Sequence, residues 1–226
     1  MLPGPDQVLQ CPSCAAAVLQ PTISSGNTIG AIYYTDGYMD APMFPQPSVL
    51  VRCPVCHEPF LRSQARLLGR YDRYGATMFA DEAKHAAPDP AWRRAPRVAK
   101  VGVIDYVPVL IRRRFNRETE VDLRIEFMQV CNHPRRQLAP DALRPAVTAT
   151  ERANLQMLAS LLDLLNPEER LILAEVRRQL GEFDRAAVAL AAEFPDDFAL
   201  AAGRIRELVR ARSTWVAELF VGDLNH

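Results

Sequence analysis

Two short cysteine turns, Cys11-Pro12-Ser13-Cys14 and Cys53-Pro54-Val55-Cys56, hold the residues best suited to chemistry. In such a knuckle the tight turn points both sulfurs to one side, backbone N–H groups hydrogen-bond to them, and proline stiffens the bend. Two knuckles supply the four soft ligands of a tetrahedral site, so Cys11, Cys14, Cys53 and Cys56 are expected to hold Zn2+. The intervening stretch, 15–52, is longer than in compact zinc fingers, but the cost of closing a loop grows only logarithmically with its length. Four thiolates saturate a tetrahedral ion, whereas catalytic zinc keeps an open position, so the expected role is structural. His57 beside Cys56 is a weaker candidate ligand, because neighbouring residues rarely both reach one ion. The redox alternative requires a C-x-x-C that follows a strand and opens a helix, and these pairs sit among turns instead.

The chain contains no G-x-S-x-G, H-E-x-x-H, Walker G-x-x-x-x-G-K-[ST] or G-x-G-x-x-G pattern, and no catalytic residue is assigned. Cys131-Asn132-His133 has residue types found in cysteine nucleophile sites, but sequence neighbours do not form a triad. Residues 76–137 carry 12 Lys and Arg against 8 Asp and Glu, with Arg112, Arg113, Arg114, Arg117, Arg135 and Arg136 close together. This is the candidate nucleic-acid patch, yet three consecutive arginines on a helix fan over an arc of about 200° and resemble a solvated face more than a groove. Between the knuckles, Asn27, Tyr34 and Asp36, with Tyr33 and Thr35, offer hydrogen-bonding groups that read either as a partner-binding surface or as turn and edge-strand residues.

The elements that must position these residues divide the chain in two. Its 226 residues, 49% hydrophobic, suffice for a packed core, and equal totals of 27 basic and 27 acidic residues leave no global field to draw in nucleic acid or an anionic membrane. Without a basic-then-apolar leader or an apolar run of about 20 residues, the expectation is a cytoplasmic protein that does not enter the membrane. In that reducing compartment paired cysteines favour metal over disulfides. Residues 1–75 are rich in turn signals and β-formers, 76–100 read as a linker, and 101–226 as helical: an α+β protein. Asp36-Gly37 predicts a type I′ hairpin joining 29–35 to 38–43, with Thr35 opposite Tyr38 and Tyr34 opposite Met39. After the second knuckle, 60–68 predicts a short helix.

Residues 101–111 suit a strand or a helix; a helix capped by Asp105, with Val107, Ile111 and Phe115 on its stripe, is favoured. A helix over 118–130, with Val121, Ile125 and Met128 on one face, is expected to end before His133-Pro134. Thr148 and Glu151 form a capping box ahead of Leu155, Leu158, Leu162 and Leu165. Asn166-Pro167-Glu168-Glu169 opens the next helix and Gly181 ends it. A third spans 183–193, Pro195 breaks it, and a fourth runs from Phe198 through Val216 towards Phe220. Because each buried Leu or Ile contributes roughly 1.5–3 kcal/mol, these stripes must pack on one another.

Leu180-Gly181-Glu182-Phe183-Asp184-Arg185-Ala186 is similar to the inter-helix turn of a tetratricopeptide repeat, although no second copy follows at the repeat spacing. The two knuckles bracketing 25–31, Tyr34-Thr35-Asp36-Gly37 and Ala41-Pro42-Met43-Phe44-Pro45, followed by 122–125 and Asn132-His133-Pro134-Arg135-Arg136, resemble a group of uncharacterised bacterial proteins. These have an N-terminal zinc ribbon and a helical, tetratricopeptide-like C-terminal half. The resemblance implies a bacterial protein with a structural zinc and no assigned activity; helical hairpins of that kind imply a protein partner and an adaptor role. Many ribbon knuckles carry glycine after the second cysteine, where this chain has Ala15 and His57.

Overall fold

The computed structural model describes residues 1–72, 90–112, 114–138 and 145–221. In chain order the strands are β1 (Leu2–Gln10), β2 (Ala17–Ser25), β3 (Ile32–Tyr34), β4 (Met39–Asp40), β5 (Leu50–Arg52), β6 (Pro59–Leu61) and β7 (Arg66–Tyr71). Then come helices α1 (Val103–Arg112), α2 (Arg117–Arg136), α3 (Ala149–Leu161), α4 (Pro167–Gln179), α5 (Phe183–Ala189) and α6 (Asp196–Arg210), and a last strand, β8 (Glu218–Val221). The fold is α+β. It groups into two compact units, Met1–Ile29 with Ala41–Arg112, and Gly30–Asp40 with Arg113–His226.

The first unit is built on a sheet ordered β2-β1-β7 and a separate β5-β6 hairpin, all antiparallel. Val8, Leu19 and Tyr71 form one apolar cluster, and Leu9, Val18, Val51 and Phe60 pack with Cys11 and Cys53 in another. The helix expected over 60–68 is instead β6, a short 3-10 turn at Arg62–Gln64, and β7. Pairing decides this: β7 completes the open edge of β1, and Phe60 and Leu61 are both fully buried. Residues 73–89, which include 76–89 of the expected linker, lie outside the described residues. Beyond them the Leu19 N–H donates to the Pro96 carbonyl at 2.9 Å, and Arg52 and Ala99 exchange backbone hydrogen bonds at 3.0 and 2.9 Å. The helical reading of 101–111 holds, but its inward face is Tyr106 and Val109, and Ile111 is 77% exposed. Asp105 sets that rotation: it accepts from the Gly102 N–H at 2.7 Å and pairs with Arg52 of β5.

The second unit is helical, with one small sheet ordered β4-β3-β8. The capping box is present as expected: Thr148 Oγ1 accepts from the Glu151 N–H at 3.2 Å, and Glu151 accepts from the Thr148 N–H at 2.6 Å. Leu155, Leu158 and Leu162 join Val121, Met128, Leu173, Val176 and Leu180 in the largest cluster, while Leu165 lies in the loop before α4 and is exposed. Asn166 caps α4 with Pro167 at its first position. At the other end Gly181, with φ +79°, closes a Schellman turn in which the Glu182 N–H reaches the Arg177 carbonyl at 2.9 Å.

Several expectations fail in this unit. Helix α2 continues through Pro134, because Arg135 and Arg136 in its last turn are held by Glu151 and Asp36. Helix α5 stops at Ala189, capped at Leu190, where 183–193 was expected. Helix α6 ends at Arg210, in a turn whose Ser213 N–H bonds the Leu208 carbonyl at 2.9 Å; the chain beyond becomes β8 and pairs with β3. The hairpin register also moves by one, with Tyr33 opposite Met39 and Ile32 opposite Asp40. Only Gly37 of its turn has positive φ, +75°, and the Gly37 N–H bonds the Tyr34 carbonyl at 3.0 Å. The connection is therefore a three-residue loop with glycine in the left-handed position, since a type I′ turn would need Asp36 there too.

Candidate metal centre

Both knuckles are the turns of antiparallel hairpins. The first joins β1 to β2, where Gln10 pairs with Ala17; the second joins β5 to β6, where Arg52 pairs with Pro59. Their hydrogen bonding is the same at each step. The Cys11 N–H donates to Ala16 at 2.9 Å and the Ala15 N–H to Cys11 at 2.9 Å; the Cys53 N–H donates to Glu58 at 3.0 Å and the His57 N–H to Cys53 at 2.9 Å. Each turn needs a left-handed residue after its second cysteine, and Ala15 and His57 adopt φ of 60° and 63° there. The departures from glycine noted in the sequence thus fall on the two positions where an L-residue is strained.

The four sulfurs converge, all lying within 4.8 Å of one another. Across the knuckles Cys11 Sγ is 3.8 Å from Cys56 Sγ, and Cys14 Sγ is 3.8 Å from Cys53 Sγ. No disulfide joins them, and their spacing is far beyond a sulfur–sulfur bond of about 2.05 Å. Metal–sulfur bonds of about 2.3 Å in a regular tetrahedron give edges of about 3.8 Å. The four thiols could therefore hold a metal ion. Cys11 and Cys53 are buried, Cys56 is partly buried and Cys14 exposed; His57 is exposed and is not among the clustered ligand atoms.

The thiols do not ionise equally. Burial opposes ionisation of Cys11, but the N–H groups of Cys14 and Ser13 aimed at its sulfur outweigh it and bring the thiol down to about 7. At Cys56 the Glu58 N–H favours the thiolate, yet burial and the three neighbouring sulfurs push it up to about 12.

The other residues singled out in the sequence are dispersed. Asn27 is exposed, and its carboxamide accepts from the Ile29 N–H at 3.1 Å, closing a local turn. Tyr34 and Asp36 are buried in the second unit: Asp36 accepts from Asn132 Nδ2 at 2.9 Å and pairs with Arg136. Burial pushes the Asp36 carboxyl up, against the pull of Arg136 and Asn132. Arg112 and Arg114 are exposed, Arg113 lies outside the described residues, and Arg117 and Arg135 spend their guanidinium groups on Glu169 and Glu151. Cys131 borders a cavity of about 10 Å³, room for about one water, and burial, then Glu151, pushes its thiol up to about 12. The sequence reading missed Glu175 and Arg178, both fully buried and paired at 2.5 Å. Their signal was present, as two opposite charges three residues apart among the apolar positions of α4.

Fold and site together define an α+β protein with a four-cysteine cluster able to bind a metal, and among the described residues no helix is long and apolar enough to cross a membrane. Compared with protein families, with curated proteins and with solved structures, the chain matches none. The likeness of residues 180–186 to a tetratricopeptide turn rests on those residues alone.

Proposed function

We propose that Cys11, Cys14, Cys53 and Cys56 bind one structural Zn2+ and that the protein is a zinc-stabilised adaptor or scaffold acting through protein–protein contacts. The observation that carries the metal reading is the 3.8 Å spacing across the knuckles, which suits four sulfurs around a d10 ion with no directional preference of its own. Four thiolates leave no position for substrate or water, which favours a structural ion over a catalytic one. Binding energies of about 10–16 kcal/mol for such sites make the metal part of the folding energy of the unit that holds it. The adaptor reading takes its support from the apolar residues left exposed, Ile104 and Ile111 on α1 and Val188 and Leu200 on the helices of the second unit. The bacterial, cytoplasmic setting belongs to the same proposal.

Elemental analysis of protein purified without added metal is expected to return one zinc per chain and no reactive thiol among the four until a chelator is added. A metal-free protein with four titratable thiols would overturn the reading. For the adaptor role, affinity capture with the purified zinc-loaded protein should recover a protein partner whose binding survives high salt. Binding that weakens steeply with salt would instead mark nucleic acid and the exposed arginines.

A further inference from the structure

The chain between the knuckles leaves the unit that carries them. Residues Gly30–Asp40 belong to the second unit, so the four cysteines bracket a loop whose middle is part of another fold. That middle is firmly seated. The Thr35 hydroxyl donates to Glu175 Oε1 at 3.0 Å and accepts from the Ala217 N–H at 3.2 Å. Gln129 donates to the Asp36 carbonyl at 3.2 Å, the Asp36 carboxylate meets Asn132 and Arg136, and the Arg136 guanidinium stacks over the rings of Tyr34 and Tyr38 at 5.0 and 4.2 Å. Strand β3 also carries β8 as its antiparallel neighbour. Withdrawing this hairpin would leave Arg136 buried without its carboxylate and take the Thr35 hydroxyl away from Glu175.

Chain connectivity then ties the two sites together. A metal joining Cys11 and Cys14 to Cys53 and Cys56 holds both ends of the loop near each other, so the hairpin is presented as a closed loop. Without the metal it must be recruited from a longer, freer chain. We infer that zinc binding and the seating of the 34–38 hairpin in the helical unit are thermodynamically coupled, the metal acting as a remote clamp on a unit that supplies none of its ligands. This rests on the zinc reading. Coupling of this kind is reciprocal: whatever loosens the hairpin weakens the metal site by the same factor.

The chain's two tryptophans allow a direct test, since Trp92 lies in the first unit and Trp215 in the second, beneath Arg135 at 5.5 Å. In a Trp92→Phe protein, urea unfolding followed by Trp215 fluorescence is expected to shift to a lower midpoint once a chelator has removed the zinc, with metal content measured on the same samples. An unchanged midpoint after full metal loss overturns the coupling and leaves the zinc reading standing, whereas a native protein without metal removes both. In the reverse direction, Asp36→Asn and the milder Thr35→Ala should pass zinc to a chromophoric competitor severalfold more readily than the parent; parent-like transfer by both overturns the inference. Gly-Ser inserts after Thr28 and after Gln46, two exposed positions, that double the loop length should weaken the coupling about threefold. Coupling indifferent to these inserts would reject the tether.

Discussion

In the first unit, four thiols crowd together, and burial and the neighbouring sulfurs push the Cys56 thiol up. In the second unit, the side chains of Asp36, Arg136, Glu175 and Arg178 are withdrawn from water, and there each carboxylate faces a guanidinium and also accepts from a neutral donor, Asn132 at Asp36 and Gln179 and Thr35 at Glu175. Both clusters join stretches far apart in the chain. The cysteine cluster could take up a cation from outside, and on the zinc reading its contribution to folding follows metal supply and thiol redox state. The charge cluster is self-neutralising, and responds instead to whatever removes one of its own members.

The sharpest way to break this contrast is to unbalance the second cluster. Glu175→Ala leaves Arg178 buried beside Ser213 with its countercharge gone, and strips acceptors from Thr35 and Gln179. Removing one partner of a buried pair costs about 3–5 kcal/mol, so the Trp215 unfolding transition should fall accordingly at fixed zinc. A loss below about 1 kcal/mol would mean that water reaches Arg178 and that the cluster is not closed.

A smaller effect should come from pH. Burial opposes ionisation of Glu151, but Arg135 and the Thr148 N–H outweigh it and hold the carboxyl below its ordinary value; Arg117 does the same for Glu169. A carboxyl depressed on folding contributes stability that is fully present above its unfolded value of about 4.5 and is lost as pH falls through the folded one. The contribution of these two carboxyls to the helical unit should therefore be constant from neutrality to about pH 5 and fall progressively below that, while Asp36, raised by burial, acts in the opposite sense. Glu151→Gln, which preserves a capping side chain, should remove part of the acid dependence; an unaltered acid limb would show that Glu151 does not contribute to it.

How much of this was legible in the sequence follows from the range of the interactions. The cysteine knuckles, the Thr148–Glu151 box, the Asn166-Pro167 start and the Gly181 stop are written within a few residues, and each is found where the sequence put it. The short helix read over 60–68 became strand because β1 had an edge to fill, and the long last helix stopped at Arg210 because β3 needed β8. Neither edge is visible locally. Asp36 looked like a turn residue and is one, its carboxylate also accepting from the Tyr38 N–H at 3.2 Å, but nothing near it in the chain announces Arg136. The glycine missing after each second cysteine was visible, and its consequence follows from local geometry alone.

That consequence gives the smallest expected effect. Ala15 and His57 both hold the left-handed conformation that the knuckle hydrogen bonds impose, at roughly 1–2 kcal/mol each for a residue with a Cβ. Ala15→Gly removes the strain, but glycine also gives the unfolded chain more freedom, worth about 0.4–1 kcal/mol in the opposite sense. The net gain should be up to about 1 kcal/mol, read as slower zinc loss to a competing chelator and a higher midpoint for the Trp92 transition. His57→Gly should gain no more, since the exposed imidazole gives up little packing. If both variants release metal faster than the parent, the left-handed turns are not where the knuckles store strain, and the two hairpins must be held in register by their flanking strands instead.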